Sequence, residues 1–491
     1  MTTTDTKTPR PGRSAGILLH PTSLPGPYGI WELGTEAMAF VEFLKESGQK
    51  LWQILPLSPT GGDGSPYSSY SAFAGNPLLI STERLVRDGL VSGAKKSADG
   101  PVDYPAVIPA KTKLLREAYD NAKPGKEFDA FVEEQSGWLE DYALYMALKG
   151  EYDGRTWNLW DEGLVKREPD ALEEARRELA EEVRFHQFVQ YLFFVHWSDV
   201  KEAANEVGIE VIGDIPIFVS HDSADVWARQ SLFHLDDSGS PTVVAGVPPD
   251  YFSETGQLWG NPLYDWESIK RDGYSWWVER MRMALTLYDV VRIDHFRGFE
   301  AYWEIPADAE TAREGRWVKG PGKDVFRALE DGLGELPIIA EDLGEITPEV
   351  EALRDELGLP GMKVLQFAFS GPDNAFLPHE YGDANWVIYT GTHDNDTTAG
   401  WWNSADHEGR SFARRYLGKE YVSVPDFVRL AYASVAEKAV VPMQDFLELG
   451  PEHRMNTPGT TEGNWSWRLE ESALTPELAE RLKSLAETYG R

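Results

Sequence analysis

Eight short apolar runs recur along the chain, each bounded by glycine, proline or polar residues. Continuous apolar runs of this length are typical of parallel strands buried on both faces, and most of the stretches between them show the spacing of amphipathic helices. This alternation predicts an α/β fold, a (β/α)8 TIM barrel. The runs are GILLH (16–20), LWQILPL (51–57), EVIGDIPI (210–217), DVVRIDHF (289–296), PIIAEDLG (337–344), MKVLQF (362–367), WVIYTGTHD (386–394) and, less clearly, VVPMQDFLEL (440–449).

The spacing of the runs predicts a large insertion. The second and third runs lie about 150 residues apart, whereas one strand-plus-helix unit of a barrel needs only about 25 to 45 residues. We therefore predict a barrel formed by 14–56 and 206–491, with a subdomain, 57–205, inserted over its mouth. Within the insertion, 111–150 and 167–206 show helical spacing, and the segment from 57 to 78 is a Gly/Pro/Ser-rich loop.

Two further segments lack the pattern of barrel strands and helices. Residues 219–266 are irregular, contain the turn DDSGSP and the stretch GQLWGNP, and are predicted to form a loop region that covers the substrate. Residues 1–13 are polar, are predicted to be a disordered tail, and lack the apolar segment of a secretory signal.

Composition narrows the function classes. The chain has 491 residues and no cysteine, which excludes disulfides, thiolate metal sites and a cysteine nucleophile. The formal charge of −34 would repel nucleic acids and anionic lipids, so a neutral substrate fits better, although most of this charge can simply be a solvated surface. No run of 18 apolar residues occurs. We expect a cytoplasmic protein with neither nucleic acid nor a membrane as partner.

Carboxylates follow four of the predicted strands. All strand carboxyl ends of a parallel barrel lie at one face, where active sites of such barrels are built, so residues far apart in sequence can converge there. The sequence therefore predicts one acidic pocket. Its candidates are Asp214, Asp294, Glu341 with Asp342, and Asp394 with Asp396.

Cleavage of a glycosidic bond with retention needs a carboxylate nucleophile and a second carboxyl group that acts first as acid and then as base. Arg292 lies two residues before Asp294, on the same face of the predicted strand, and its charge would keep Asp294 ionised as the nucleophile. Glu341 suits the acid/base role, and a third acid can stabilise positive charge. His393, beside Asp394, is a candidate for binding sugar hydroxyls.

Each of these residues has a plainer interpretation. A single carboxylate at a strand end more often caps a helix or pairs with a surface lysine. An isolated histidine more often lies in the core with its hydrogen bonds made to neighbouring groups. The joint pattern of acids favours the pocket. Likewise, any single tryptophan of a stretch such as GQLWGNPLYDW (256–266) more often fills a core than stacks on a sugar.

Six longer motifs resemble one family. Together they are similar to motifs of the amylomaltases, which are bacterial 4-α-glucanotransferases. They occur in the order expected for that family, and the resemblance covers roughly residues 15–470. The Gly-Asn-Pro and SAFAGNP stretches make the resemblance specific, because related amylases share only the short strand-end motifs. The motifs are SPYSSYSAFAGNP (65–77), GDIPIFV (213–219), PPDYFSETGQLWGNPLYDW (248–266), RIDHFRGFEAYWEIP (292–306), IIAEDLG (338–344) and THDNDT (392–397).

The resemblance implies a retaining transfer of 1,4-α-glucan segments to a new 4-hydroxyl, with large-ring products left open, and maltooligosaccharides as partners. It implies Asp294 as nucleophile, Glu341 as general acid/base and Asp394 as transition-state stabiliser. It implies neither an organic cofactor nor a catalytic metal. The implied substrate-binding residues are Arg292, His393, Asp214, Tyr251, Phe252, Trp259, Asn261 and Asn464.

The chain departs from the family pattern in one loop. Where amylomaltases usually read PTGYGDSPY, it reads PTGGDGSPY, so Gly62 stands at the tyrosine position. We expect a weaker grip on donor-side sugars or an altered chain-length preference.

Three alternatives to a transferase follow from the sequence. A hydrolase of the same clan would use the same acids and pass the intermediate to water. A starch-binding or structural barrel would bind glucan without catalysis. A Schiff-base lyase finds no support, because none of the predicted strand ends places a lysine beside the acids.

Overall fold

The computed structural model describes residues 12–97, 100–249, 253–460 and 462–491. Eight parallel strands form a nearly closed barrel in the order β10-β11-β12-β1-β2-β3-β6-β9. Between the two end strands, the N–H of Ala340 donates to the carbonyl of Pro360 at 2.9 Å. The strands are β1 Ser14–Leu18, β2 Leu51–Gln53, β3 Glu210–Pro216, β4 Val243–Val247, β5 Gln257–Pro262, β6 Val290–Asp294, β7 Ala301–Pro306, β8 Arg316–Lys319, β9 Ile338–Ala340, β10 Gly361–Val364, β11 Trp386–Tyr389 and β12 Lys438–Pro442.

Each of the eight apolar runs contains or overlaps a barrel strand, so the predicted barrel is confirmed. The last run, 440–449, differs in its second half, because Pro442 ends the strand and a helix follows at once. The helices are α1 Thr35–Glu46, α2 Thr82–Arg87, α3 Tyr104–Asn121, α4 Lys126–Glu134, α5 Ser136–Glu151, α6 Glu162–Val165, α7 Pro169–Glu178, α8 Ala180–Glu206, α9 Ala224–Ala228, α10 Trp266–Arg271, α11 Ser275–Leu287, α12 Lys323–Leu333, α13 Pro348–Glu356, α14 Thr398–Ser404, α15 His407–Leu417, α16 Val424–Ala433, α17 Met443–Phe446 and α18 Pro476–Tyr489.

The insertion between β2 and β3 is largely helical and shares one helix with the barrel wall. The shared helix is α8. The first half of α8 packs on α4 through Phe188, whose ring lies 6.1 Å from that of Phe128. In its second half the ring of Trp197 lies 6.3 Å from that of Trp52 on β2, and its Nε1 donates to the carbonyl of Leu287 at 2.9 Å. The division of the chain at 57 and 205 stays a prediction.

A second, antiparallel sheet with the order β5-β4-β7-β8 lies beside the barrel. It includes part of the region 219–266, which the sequence predicted to be irregular. β4 and β5 approach closely at Gly246, where a Cβ would lie 2.2 Å from the carbonyl oxygen of Gln257. The sheet therefore needs glycine at this position, and the residue that permits the pairing also resembles a loop residue in the sequence.

The two ends of the described chain meet beneath the barrel. The guanidinium of Arg13 donates to the backbone carbonyls of Tyr489 and Tyr432 at 2.7 and 2.8 Å. Most of the predicted disordered tail, residues 1–11, lies outside the described residues. In the part of the chain that is described, no helix combines the length and apolar character needed to cross a bilayer.

Candidate active site

A cleft of about 630 Å³ opens at the carboxyl ends of the barrel strands. Its walls include Asp294 at the end of β6, Glu341 directly after β9 and Asp394 five residues after β11. The structure thus brings the three predicted catalytic carboxylates into one pocket, although they come from different strands.

Arg292 lies between two carboxylates. Its Nη1 is 2.6 Å from Oδ2 of Asp214, and its Nη2 is 3.0 Å from Oδ1 of Asp294. The register of β3 with β6 places Asp214 opposite Arg292, and the two-residue strand period turns Arg292 and Asp294 to the same face. Burial raises the pKa of Asp294, and the charge of Arg292 opposes that rise. The guanidinium therefore favours an ionised Asp294.

Glu341 is held by two backbone donors. Its Oε2 accepts the N–H of His295 at 2.7 Å, and its Oε1 accepts the N–H of Leu343 at 3.1 Å. His295 adopts a left-handed conformation with φ of 56°, which non-glycine residues adopt rarely and which often occurs at functional sites. Burial raises the pKa of Glu341, and the negative charge of Asp294 raises it further. A carboxyl group in this environment can deliver a proton near neutral pH.

Tyr67 links two predicted binding residues beneath the cleft floor. Its hydroxyl lies 2.8 Å from Oδ2 of Asp214 and 2.9 Å from Nε2 of His393, and its ring stacks on the histidine ring at 5.4 Å and 11°. Because an ionised Asp214 can only accept, the tyrosine donates to it and accepts from His393, so Nε2 carries the proton. Burial lowers the pKa of His393, which favours a neutral ring.

Asp394 projects into the cleft with 42% of its side chain exposed. Its Oδ1 accepts from Nδ2 of Asn456 at 2.6 Å, and its Oδ2 lies 3.3 Å from Nε2 of His393. The carboxylate is therefore oriented on both oxygens yet open to a ligand.

The antiparallel sheet supplies an aromatic wall. Trp259 and Asn261, two residues apart on β5, both line the cleft. The ring of Trp259 meets that of His295 edge to face at 4.8 Å and 84°, and its Nε1 donates to Oε1 of Gln257 at 3.1 Å. Leu258, which lies between Gln257 and Trp259 on the same strand, is 45% exposed and is not among the described residues that line the cleft.

The family model described as 4-alpha-glucanotransferase matches residues 19–475. The chain belongs to the 4-alpha-glucanotransferase family. A 4-alpha-glucanotransferase of Thermus thermophilus is 55% identical over 495 residues, covering 98% of this chain and 99% of that protein. One from Synechocystis sp. is 49% identical over 496 residues, with 98% of each chain covered. The structure "Amylomaltase from Streptococcus agalactiae in complex with acarbose" matches with a TM-score of 0.94 at 39% identity, covering 98% of this chain and 99% of that one.

The resemblance, the fold and the enzyme class predicted from the sequence are therefore confirmed at the level of the family. The roles of the individual residues stay predictions. Of the predicted binding residues, Arg292, Trp259 and Asn261 line the cleft of this 4-alpha-glucanotransferase fold. Asp214 and His393 are buried behind it and reach it through Arg292, Tyr67 and Asp394.

The three remaining predicted binding residues have different outcomes. Tyr251 and Phe252 lie outside the described residues. Asn464 accepts the N–H of Thr457 at 2.9 Å and donates to the carbonyl of Thr460 at 2.9 Å, so it shapes the 456–460 loop. It is not among the cleft-lining residues that are described.

The cleft wall also contains residues for which the sequence pattern predicted no role, among them Tyr67, His295, Asn456 and Trp465. Tyr67 stands inside a motif that carried the family resemblance, and His295 directly follows Asp294. These positions could have been found from their neighbours. Asn456 and Trp465 lie in a polar, Gly/Pro-rich segment after the last strand, which carries no signal of its own.

Across the described ranges, no group of three or more histidine, aspartate or glutamate side chains is placed to hold a metal ion. The expectation that the reaction uses neither a metal nor an organic cofactor stays a prediction.

Proposed function

We propose that this chain transfers segments of 1,4-α-glucans to a new 4-hydroxyl by double displacement with retention. The observation that carries the proposal is the contrast between two carboxyl groups of one cleft. Asp294 is paired with the guanidinium of Arg292, whereas Glu341 is held by two backbone amides. Burial raises the pKa of both groups, but the charge of Arg292 opposes the rise at Asp294, and the charge of Asp294 adds to the rise at Glu341. Two acids with different environments can divide the nucleophile and acid/base roles.

In the first step, a carboxylate oxygen of Asp294 forms a bond to the anomeric carbon while the glycosidic C–O bond breaks. Glu341 gives its proton to the departing oxygen, and the released chain leaves with a free 4-hydroxyl. In the second step, the 4-hydroxyl of an acceptor attacks the same carbon, its proton passes to Glu341, and Asp294 is released. Two inversions give net retention.

Asp394 would stabilise the positive charge that develops on the sugar, since its carboxylate is exposed to the cleft and oriented by Asn456 and His393. Arg292 would hold Asp294 in its ionised form. Asp214 and His393 would act one layer behind, by fixing Tyr67 at the cleft floor.

Transfer requires that a sugar hydroxyl is held close to the intermediate and that water is kept away. Trp259 and Asn261 line the cleft, and we assign them to sugar contacts at its wall. Tyr251 and Phe252 belong to the same 248–266 motif, and we assign them to acceptor or product contacts. Asn464 would contribute by shaping the 456–460 loop. The substrates would be maltooligosaccharides and related 1,4-α-glucans in the cytoplasm, with no membrane or nucleic acid as partner.

Incubation with maltotriose tests the proposal. A transferase releases glucose together with longer oligomers at an almost constant number of reducing ends. A hydrolase accumulates reducing ends, which would overturn the proposal. Asp294→Asn and Glu341→Gln should each lower the rate by several orders of magnitude, while a protein that only binds glucan would keep its affinity and show no turnover in any form.

A further inference from the structure

The loop 390–398 runs from the residue after β11 to Thr398, the first residue of α14, and carries both His393 and Asp394. The segment that follows α17 holds the middle of this loop. Nη2 of Arg454 donates to the backbone carbonyl of Asp394 at 2.6 Å, and the N–H of Asn456 donates to the carbonyl of His393 at 3.1 Å. These contacts fix the middle of the loop but leave its two ends to other partners.

The two ends of this loop converge on one carboxylate, that of Asp445. Its Oδ2 accepts the hydroxyl of Thr390 at 2.5 Å and that of Thr398 at 2.6 Å, and its Oδ1 accepts the N–H of Thr398 at 2.7 Å. Thr390 is the first residue of the loop and Thr398 the last. Thr390, Thr398 and Asp445 are all at most 2% exposed, so loss of the Asp445 oxygens would leave buried donors without an acceptor, which costs free energy.

The barrel register places Asp445 at this point. β12 pairs with β11 so that Val440 lies opposite Tyr389, and α17 begins at Met443. The first turn of α17 therefore reaches the residue that follows Tyr389. On the β10 side of the loop, Nε2 of Gln366 donates to the carbonyl of Asp396 at 2.8 Å. The loop is clamped between neighbours on both sides.

We propose that Asp445 is a positioning residue for glucan transfer, which closes the loop 390–398 and so fixes the carboxylate of Asp394 in the cleft. This inference rests on the role that the proposed function gives to Asp394. Asp445 is not among the described residues that line the cleft, and it acts through Thr390 and Thr398. A shift of about 1 Å at a catalytic group can lower the rate about 100-fold. Loss of the Asp445 contacts would let the loop and Asp394 move, and kcat should therefore fall.

Asp445→Asn and Thr398→Val test the inference, each with little change of shape. Asn offers one acceptor oxygen instead of two, and Val removes one donor. We expect kcat for maltotriose to fall about 10- to 100-fold in Asp445→Asn and less in Thr398→Val, with a much smaller change in KM. The double variant should lose little more than Asp445→Asn alone, because both changes act through one contact.

Asp289→Asn is the matched control. Asp289 also accepts two hydrogen bonds, from Nδ2 of Asn205 and from the N–H of Val211, both at 2.8 Å, and pairs with Lys201 at 3.4 Å, but its side chain is 22% exposed and it precedes β6 at the opposite end of the barrel. This variant should lower Tm and keep kcat. Hydrogen exchange gives a readout independent of activity, since amides of 390–398 should exchange faster in Asp445→Asn and not in Asp289→Asn.

The outcomes separate this inference from the proposed function. If the wild type makes no longer oligomers from maltotriose, the proposed function fails, whereas the exchange of 390–398 still tests the clamp. If the wild type transfers and folded Asp445→Asn keeps its full kcat with unchanged exchange, only the role of Asp445 is overturned. Should Asp445→Asn fail to fold, Thr398→Val decides, and wild-type kcat in that variant counts against the inference.

Discussion

Arg292 and Asp214 form an ion pair of 2.6 Å at a point where both side chains are almost fully buried. The other terminal nitrogen of the guanidinium, Nη2, lies 3.0 Å from Oδ1 of Asp294. A buried charge without a partner is costly, whereas a pair with good geometry is tolerated. The single cation therefore serves two carboxylates, and its removal should affect stability and chemistry in separable ways.

Arg292→Leu should lower the free energy of unfolding by about 3 to 5 kcal/mol, because the fully buried carboxylate of Asp214 loses its counter-charge and that of Asp294, at the cleft wall, loses it too. It should also lower kcat by at least about 100-fold. The double variant Arg292→Leu/Asp214→Asn should recover part of the stability and none of the activity. Calorimetry and maltotriose kinetics check this, and full recovery of activity in the double variant would contradict the assigned role of Arg292.

The pH dependence should follow the two carboxyl groups. Glu341 must be protonated to act as acid, and burial followed by the charge of Asp294 raises its pKa. The value of kcat/KM should thus fall as the pH rises through that pKa, by about tenfold per unit. It should also fall at low pH as Asp294 becomes protonated. A profile without an alkaline limb would count against Glu341 as the acid.

Glu341→Gln should abolish transfer and stabilise the protein at alkaline pH. The folded protein holds the Glu341 proton more tightly than the unfolded chain, so the free energy of unfolding decreases as the pH rises between the unfolded and the folded pKa. Gln lacks this titration. The Tm difference between variant and wild type should therefore grow from about pH 5 to about pH 8. Glu202→Gln, at an exposed site on α8, is the control and should show no such trend.

Trp259→Ala should raise the ratio of hydrolysis to transfer several-fold, because the acceptor loses an aromatic wall and water gains access. Leu258→Ala is a matched control, since Leu258 is 45% exposed on the same strand and does not line the cleft. Glucose and reducing-end assays on maltotriose measure the ratio. Equal ratios of hydrolysis to transfer in the two variants would show that the cleft face of β5 does not favour transfer over hydrolysis.

Gly62→Tyr should strengthen donor binding and lower KM for longer maltooligosaccharides with little change in kcat. A Cβ at this position meets no atom within 4 Å, so the loop can accept a side chain. Gly62→Ala separates the effect of the ring from that of the backbone and should leave KM unchanged. Donor kinetics identical to the wild type in Gly62→Tyr would refute the expectation.

The barrel could be predicted because each parallel strand is buried on both faces and so forms a continuous apolar run. The antiparallel sheet could not. Its strands β4 and β5 contain glycine and proline, which indicate loops, and β4 pairs with β7 from across a long stretch of chain. Such pairing depends on the folded barrel and leaves no local signal.

The same distinction applies to the candidate site. Asp294, Glu341 and Asp394 follow barrel strands, so their convergence follows from topology. The contact of Asn456 with Asp394 requires a loop from the far end of the chain to fold back over the cleft. The left-handed conformation of His295, which aims its N–H at Glu341, is set by tertiary packing rather than by residue type.

The shared helix α8 limits how the enzyme can be engineered, because it belongs to the barrel wall and to the insertion at once. One face of this helix completes the shell around β2 through Trp197, and the other anchors the α4 side of the insertion through Phe188. Excising the insertion would remove the indole of Trp197 from the barrel wall and uncover the side of Trp52 that it contacts. The covering segment is thus not a detachable accessory, and swapping it between homologues would require transplanting the helix together with the barrel positions it touches.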